Sequence, residues 1–184
     1  MEIITTNISD LVIIKPRVFF DERGYFYETY HQKKFLEQNL NTTFVQDNLS
    51  KSSYGVVRGL HFQCGDAAQA KLVSVLSGKV WDVAVDIRPN SQTFGQWYGV
   101  ELSDENHLQF FIPRGFAHGF SVLSETAIFS YKCDNFYNPQ AEDGISLFDN
   151  DLKIDWKVPV NQMTISEKDK LHGELRVKSF KDKK

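Results

Sequence analysis

Two histidines lie in apolar, strand-like segments of the sequence, where a group that titrates near neutral pH is unusual. His61 belongs to residues 56–63 (VVRGLHFQ), together with Arg58, and the alternation of a strand puts His61 and Gln63 on one face. His118 ends a P-x-G-x-x-H pattern in the segment PRGFAHGF. Because imidazole changes its charge close to neutral pH, both side chains are candidates for proton transfer.

Cations, carboxylates and phenols recur in the segments that follow. Taken singly, each has a structural explanation: a lysine can open an exposed strand, aspartates can line the solvent face of a half-buried strand, and tyrosines usually pack in cores. Only the combination and order of these groups favours a functional site. They are Lys71, Asp82, Asp86, Tyr131, Tyr137, Glu142, Lys168 and Asp169.

Several function classes are excluded by what the sequence lacks. It contains no G-x-G-x-x-G, P-loop or G-x-S-x-G pattern. The formal net charge is 21 − 24 = −3, which argues against nucleic acid as a partner. The two cysteines, Cys64 and Cys133, form neither a disulfide framework nor a C-x-x-C zinc motif. With no apolar run of about 18 residues and no signal-peptide pattern, we expect a cytoplasmic protein without a membrane partner.

The elements that position these groups are predicted to be mostly strands. Aromatic residues make up 14% of the 184 residues, and short strand-like segments follow one another with turns between them. Only residues 32–40 have helical spacing of apolar side chains, and Pro16 divides the run at 11–20. Ser77-Gly78 predicts a hairpin between two strong strands. The chain is therefore predicted to be all-β, a single antiparallel jelly-roll β-barrel domain over residues 1–184 with a few short peripheral helices and a frayed tail from residue 178.

The P-x-G-x-x-H pattern that ends at His118 resembles the second motif of cupins. Metal-dependent cupins carry His-x-His in the first motif, whereas this sequence reads His61-Phe62-Gln63, and glutamine is a poor ligand for transition metals. A metal-dependent cupin enzyme is therefore disfavoured, and no metal or other cofactor is expected. The sequence resembles one metal-free cupin family closely, the dTDP-4-dehydrorhamnose 3,5-epimerases. The resemblance runs from about residue 10 to residue 170 through DERGYFYETY, FVQDNLSKS, VVRGLHFQ, QAKLVSVLSGKVWDVAVDIR, FGQWYGVELS, FIPRGFAHGFSVLS, YKCDNFYNPQAEDGI and ISEKD.

The resemblance implies a role for each of the candidate residues. His61 resembles the family's catalytic base, Asp169 its carboxylate partner, Lys71 the cation at the 4-keto oxygen, and Tyr131 the acid on the opposite face of the sugar. Tyr137 resembles the platform on which the thymine ring stacks. The resemblance also implies a homodimer, in which residues around Arg23 to Glu28 reach the partner's site. The implied ligand contacts are Arg23, Glu28, Gln46, Asn48, Arg58, His118, Glu142 and Lys168.

The implied reaction is the inversion of C3 and C5 of dTDP-4-dehydro-6-deoxy-D-glucose by proton abstraction and return through an enolate. Two alternatives remain open at this point. One is an epimerase that inverts a single centre or uses another nucleotide, and the other is a sugar-binding cupin without catalysis. The combination of base, acid and cation favours the double epimerase over the binding protein.

Overall fold

Two antiparallel β-sheets form the body of the computed structural model, which describes residues 1–178. The six-stranded sheet contains, in spatial order, β1 (Glu2–Thr5), β2 (Val12–Lys15), β10 (Gln109–Ile112), β7 (Lys71–Ser77), β12 (Thr126–Cys133) and β5 (Gln46–Ser53). The five-stranded sheet contains β13 (Glu142–Gly144), β6 (Val57–Gln63), β11 (Phe116–Val122), β8 (Lys79–Asp86) and β9 (Trp97–Ser103). A separate hairpin is formed by β3 (Phe19–Asp21) and β4 (Gly24–Phe26).

The two sheets pack face to face around one core. Phe120 of β11 and Phe129 of β12 stack across the interior with ring centroids 4.2 Å apart, and Val73 and Ala84 are fully buried beside them. From β5 to β12, strands next to each other in sequence alternate between the sheets, except for β8 and β9. This confirms the predicted all-β fold, a cupin-type jelly roll.

The outer face of the five-stranded sheet is covered by the C-terminal part of the chain. Trp156 lies against this face and donates its indole N–H to the Leu147 carbonyl at 2.9 Å. Thr164 continues the contact, since its carbonyl accepts from the Val57 amide at 3.0 Å. This packing brings the short helix α2 (Glu167–Lys170) beside β6, so that Asp169 comes close to the strand that carries His61.

The predicted helix at 32–40 forms but is shorter, because α1 spans Gln32–Glu37. Asn39 has a φ of 60°, a left-handed conformation that asparagine tolerates and that ends the helix. Phe35 packs on the outer face of the six-stranded sheet, whereas Leu36 is exposed. The predicted division at Pro16 is confirmed, since β2 and β3 lie on either side of it.

The hairpin predicted at Ser77-Gly78 is wrong. β7 pairs with β10 and β12, and β8 pairs with β11 and β9, so the link carries the chain from one sheet to the other. Gly78 has a φ of 80°, and an added Cβ would lie 2.1 Å from the Thr126 carbonyl oxygen. The glycine therefore allows a tight passage against the start of β12 rather than a two-stranded turn.

The structure also bears on three smaller points of the sequence analysis. The sequence GISLF at 144–148 predicts a strand, and this prediction is mostly wrong, because β13 ends at Gly144. Asp82 and Asp86 are fully buried and so do not form the solvent face of a strand. Lys178, where the frayed tail was predicted to begin, forms an ion pair with Asp143 at 2.6 Å, and residues 179–184 lie outside the described residues. No helix within residues 1–178 is long and apolar enough to span a membrane.

Candidate active site

A cavity of about 620 Å³ opens between the two sheets, and all four predicted catalytic residues line it. His61 comes from β6 of the five-stranded sheet, with Asp169 beside it from α2. Lys71 of β7 and Tyr131 of β12 come from the six-stranded sheet. The jelly roll therefore places the imidazole and its carboxylate on one wall, and the ammonium and the phenol on the other.

His61 and Asp169 form a short hydrogen-bonded pair. His61 Nε2 donates to Asp169 Oδ1 at 2.7 Å, and the second carboxylate oxygen accepts from the Gly59 amide at 3.4 Å. Ser166 caps α2, because its hydroxyl accepts from the Asp169 amide at 3.1 Å. Burial raises the pKa of Asp169, but the bonds from His61, Gly59 and Ser166 outweigh it and hold that pKa below the usual value. The pair is thus built around an ionised carboxylate.

Lys71 and Tyr131 have environments that disfavour their charged forms. Burial lowers the pKa of Lys71, although Cys133, Asp82 and Glu142 partly oppose this. Burial raises the pKa of Tyr131, which keeps the phenol protonated at neutral pH. The Lys71 ammonium lies 5.8 Å from the centre of the Tyr131 ring. The amino group of Lys71 and the neutral phenol of Tyr131 therefore face the same space.

His118 lies next to His61 in the sheet, because the two residues are register partners on β11 and β6. Its Nε2 donates to both carboxylate oxygens of buried Asp82 at 3.0 Å. Burial lowers the pKa of His118 more than Asp82 raises it, so a neutral ring is favoured. His118 lines the cavity, as predicted for a ligand contact, and Asp82 fixes its orientation.

A second hollow of about 280 Å³ adjoins the first and shares His61, Lys71 and Tyr131 with it. Tyr137 lies at its rim, 48% exposed, and donates its hydroxyl to Glu142 Oε2 at 2.6 Å. Glu142 also forms an ion pair with Lys168. Burial raises the pKa of Glu142, but the bonds from Lys168 and Tyr137 outweigh it and lower that pKa overall.

Polar side chains of β5 and β6 complete the lining. Gln46 Oε1 accepts from the Tyr137 amide at 3.0 Å, and Gln46 Nε2 donates to Asn48 Oδ1 at 3.0 Å. Arg58 donates two hydrogen bonds to Ser52 Oγ, at 3.1 and 3.2 Å. Because this hydroxyl orients the guanidinium beside the cavity, Ser52 supports the site, although no sequence motif indicates it.

Two predicted ligand contacts, Arg23 and Glu28, do not line either hollow. Arg23 lies at the turn of the β3–β4 hairpin, where its guanidinium binds Asp21 and its side chain is 84% exposed. Glu28 forms an ion pair with Lys34 and lines a separate hollow near α1. Within one chain, the structure does not bring these two residues to the cavity.

His172 is a polar neighbour of the site that sequence reasoning missed. Its Nε2 lies 4.0 Å from Asp169 Oδ1, and its ring centroid is 5.8 Å from that of His61. Burial lowers the pKa of His172. The spacing of three residues between Asp169 and His172 is the only signal in the sequence that could have indicated it.

Comparison with known proteins shows the family of the chain. The dTDP-4-dehydrorhamnose 3,5-epimerase family matches residues 5–176. The dTDP-4-dehydrorhamnose 3,5-epimerase of Methanothermobacter thermautotrophicus is 51% identical over 174 residues, which cover 94% of each chain. The crystal structure of the dTDP-4-dehydrorhamnose 3,5-epimerase from Elizabethkingia anophelis is 63% identical, with a TM-score of 0.92 and coverage of 96% of this chain and 97% of that one.

A second solved structure contains a bound sugar nucleotide. The dTDP-6-deoxy-D-glucose-3,5-epimerase from Legionella pneumophila, in complex with dTDP-4-keto-L-rhamnose, is 51% identical, with a TM-score of 0.93. The match covers 97% of this chain and 94% of that one. Sequence and structure agree over nearly the full length of the proteins compared. This chain therefore belongs to the dTDP-4-dehydrorhamnose 3,5-epimerase family.

Proposed function

We propose that this chain inverts C3 and C5 of dTDP-4-dehydro-6-deoxy-D-glucose through an enolate and yields dTDP-4-dehydro-L-rhamnose. The observation that carries the proposal is the opposition of His61 and Asp169 on one wall of the cavity to Lys71 and Tyr131 on the other. Inversion of a carbon next to a ketone needs a base on one face, charge stabilisation at the oxygen and a proton donor on the other face.

His61 is the base in this proposal. Because Asp169 is ionised and accepts the proton of His61 Nε2, the other ring nitrogen, Nδ1, holds the free lone pair of the neutral imidazole. When Nδ1 takes the proton from carbon, the ring becomes an imidazolium, and the adjacent carboxylate stabilises it. Asp169 thus supports the base without taking part in bond making.

Lys71 and Tyr131 supply the two remaining functions. The Lys71 ammonium stabilises the enolate oxygen that develops at C4, and a donor aimed at such an oxygen contributes about 3–4 kcal/mol. Tyr131 stays protonated because burial raises its pKa, so its phenol can return a proton to the carbon from the wall opposite His61. The reaction as proposed uses side chains alone and needs no redox or metal cofactor.

The nucleotide part of the substrate is assigned to the rim and the second hollow. Arg58 and Lys168 offer positive charge to the diphosphate, and a guanidinium matches phosphate oxygens well. Tyr137, half-exposed beside Glu142, is the proposed stacking surface for thymine. The other residues proposed as ligand contacts from this chain are Gln46, Asn48, His118 and Glu142.

Arg23 and Glu28 fit the site only if a second copy of the chain provides them. We propose a homodimer in which the β3–β4 hairpin of one copy reaches the cavity of the other. The hairpin supports this, because Phe20 and Phe26 are 72% and 66% exposed on it. We also propose that residues 1–184 act as a single domain and that the enzyme works in the cytoplasm.

Proton NMR of dTDP-4-dehydro-6-deoxyglucose, incubated with the enzyme in heavy water, tests the proposed activity. Deuterium at both C3 and C5, with the L-rhamno product, is the expected result. Deuterium at one carbon alone would indicate a single-centre epimerase. The absence of any exchange would contradict the proposal and indicate another nucleotide sugar or a binding protein.

A further inference from the structure

His172 has no function in the proposed reaction, yet it lies beside the pair that carries it. Its side chain is only 11% exposed. Within residues 1–178, its Nε2 is one of two buried side-chain polar atoms that have no hydrogen-bond partner in the chain. A buried nitrogen without a hydrogen-bond partner lowers the stability of the fold. Because this nitrogen lies next to Asp169, the two side chains are placed to bind a ligand together.

The three side chains together offer a set of donors suited to a transition metal. His61, Asp169 and His172 each present one ligand atom, and these atoms lie within 4.8 Å of one another. His61 Nε2 and His172 Nε2 are 2.7 and 4.0 Å from Asp169 Oδ1. A tetrahedral zinc ion with bonds of about 2.0–2.1 Å needs its ligands about 3.3 Å apart, so small side-chain movements suffice.

His172 packs against Gly144, and no residue larger than glycine at position 144 would leave room for this contact. Its ring packs on Gly144, where an added Cβ would lie 2.4 Å from the imidazole. Gly144 is in turn the register partner of His61, so the sheet fixes the two rings relative to each other. His61 and Asp169 line the cavity, which leaves the fourth position of such an ion open towards it.

We propose that His61, Asp169 and His172 bind one Zn²⁺ ion and that this ion inhibits the epimerase. The inhibitory part rests on the proposed function of His61. A metal bound at Nε2 uses the lone pair of that nitrogen, so the single proton of the neutral ring moves from Nε2 to Nδ1. Nδ1 then has no lone pair with which to take a proton from carbon. Zinc binding and proton abstraction therefore exclude each other.

Cobalt(II) spectroscopy tests the site without any need for turnover. Added to the metal-free protein, Co²⁺ is expected to give the intense visible bands of four-coordinate cobalt at one equivalent, and Zn²⁺ is expected to displace it. The weak spectrum of six-coordinate cobalt would overturn the site, and so would Zn²⁺ binding to wild type and His31→Gln that is no tighter than binding to His172→Gln. His31→Gln is the matched control, because it removes an exposed histidine outside the cluster.

His172→Gln is expected to weaken Zn²⁺ binding at least about tenfold while its epimerase activity in EDTA stays within about threefold of wild type. Gly144→Ala is the second variant: it displaces the His172 ring without removing a ligand, and it should weaken Zn²⁺ in the same direction. Wild-type affinity in a folded His172→Gln or Gly144→Ala protein would overturn the proposal.

The activity assay separates the inhibitory claim from the site itself. Zn²⁺ is expected to stop the deuterium exchange of the substrate by wild-type enzyme, and EDTA is expected to restore it. Full activity with the site occupied by zinc would overturn the inhibition. If the protein bound the metal but had no epimerase activity in EDTA, this result would contradict the proposed function and leave the metal site supported.

Discussion

The titratable residues of the cavity acquire their proton states from their immediate surroundings. Asp169 is kept ionised by three hydrogen bonds, Tyr131 is kept protonated by burial, and burial makes the Lys71 ammonium easier to deprotonate than an exposed one. The ionised carboxylate and the protonated phenol suit the proposed parts of Asp169 and Tyr131 in an enolate reaction, whereas Lys71 must keep its proton in order to stabilise the enolate oxygen. The pKa of Lys71 also gives a direct prediction for the pH dependence.

Replacing Lys71 by methionine is expected to lower kcat about 100- to 1,000-fold, because a donor worth about 3–4 kcal/mol at the enolate oxygen is lost. In the wild type, the lowered pKa means that the ammonium loses its proton at a lower pH than an ordinary lysine does. The alkaline limb of kcat/KM should therefore lie below the usual lysine range. Steady-state kinetics across pH measures both effects.

Lys51→Met, which removes an exposed lysine on β5, is the control for that variant and is expected to retain wild-type kcat. If Lys71→Met turned over within threefold of wild type, Lys71 would have no part in stabilising the enolate.

Tyr137→Ala is expected to weaken dTDP binding by about 1–3 kcal/mol, or roughly 5- to 150-fold in Kd, because the base loses its stacking surface. Tyr137→Phe keeps the ring but loses the bond to Glu142, and it should bind within a few-fold of wild type. Isothermal titration calorimetry with dTDP measures both. An unchanged Kd for the alanine variant would rule out stacking on Tyr137.

At the residue scale, the sequence predicts the residues of the cavity best where they belong to a recognisable motif. The P-x-G-x-x-H pattern and the VVRGLHFQ segment indicated His118 and His61, and both line the cavity. For Asp82, the solvent face of a strand stayed open as an explanation, because alternation along one strand cannot tell that a buried histidine lies across from it. His172 was missed because it follows α2, and the position of this short helix depends on the packing of the whole C-terminal segment.

At the scale of elements, strand identity was easier to predict than strand partners. KLVSVL and KVWDVAVDI both form strands, as their apolar content predicts, but the glycine between them joins two sheets. A local signal for a turn does not specify which strands hydrogen-bond, because pairing depends on long-range packing of the apolar faces. The same limit explains Arg23 and Glu28, whose hairpin lies away from the cavity of its own chain.

The connection from β8 to β9 is organised by one buried carboxylate. Asp86 accepts bonds from the side chains of Arg88, Ser91 and Thr93 within this loop, at 2.6 to 2.9 Å. Burial raises the pKa of Asp86, but these bonds outweigh it and lower the pKa to about 2. Asp86 thus binds its proton more weakly in the folded chain than in the unfolded one.

Asp86→Asn is therefore expected to reduce the free energy of unfolding at pH 7 by about 2 kcal/mol. Because the folded pKa lies below the unfolded value, this stability is fully present above about pH 4 and is lost as the pH falls towards 2. Urea unfolding at several pH values should show the two proteins converging in acid. A difference that stayed constant down to pH 2 would contradict this account, and Asp151→Asn, an exposed carboxylate, should show almost no difference.

At the scale of the whole molecule, the β3–β4 hairpin presents a group of exposed aromatic side chains. Phe19, Phe20, Tyr25 and Phe26 are each more than half exposed on this hairpin, next to Arg23. Apolar surface of this kind is typical of an interface rather than of a solvated loop. The proposed homodimer covers it and brings Arg23 to a second cavity.

Mixing two impaired variants tests whether the site is shared. Arg23→Ala and His61→Asn, allowed to exchange subunits, should form heterodimers with one intact site and recover about a quarter of the wild-type sites. His61→Asn mixed with Tyr131→Phe should recover nothing, because each of their cavities keeps a defect. An active monomer in sedimentation, or no recovery in the first mixture, would contradict the shared site.

In the proposed reaction, His61 removes the proton from one wall of the cavity and Tyr131 returns it from the other. The most direct test is to follow deuterium incorporation and configuration of the 4-ketosugar in heavy water with His61→Asn and Tyr131→Phe. We predict no exchange at C3 or C5 with His61→Asn, although dTDP still binds. With Tyr131→Phe, we predict that exchange continues while inversion fails at one centre. Near-normal exchange with His61→Asn, or unaltered turnover with Tyr131→Phe, would contradict the account.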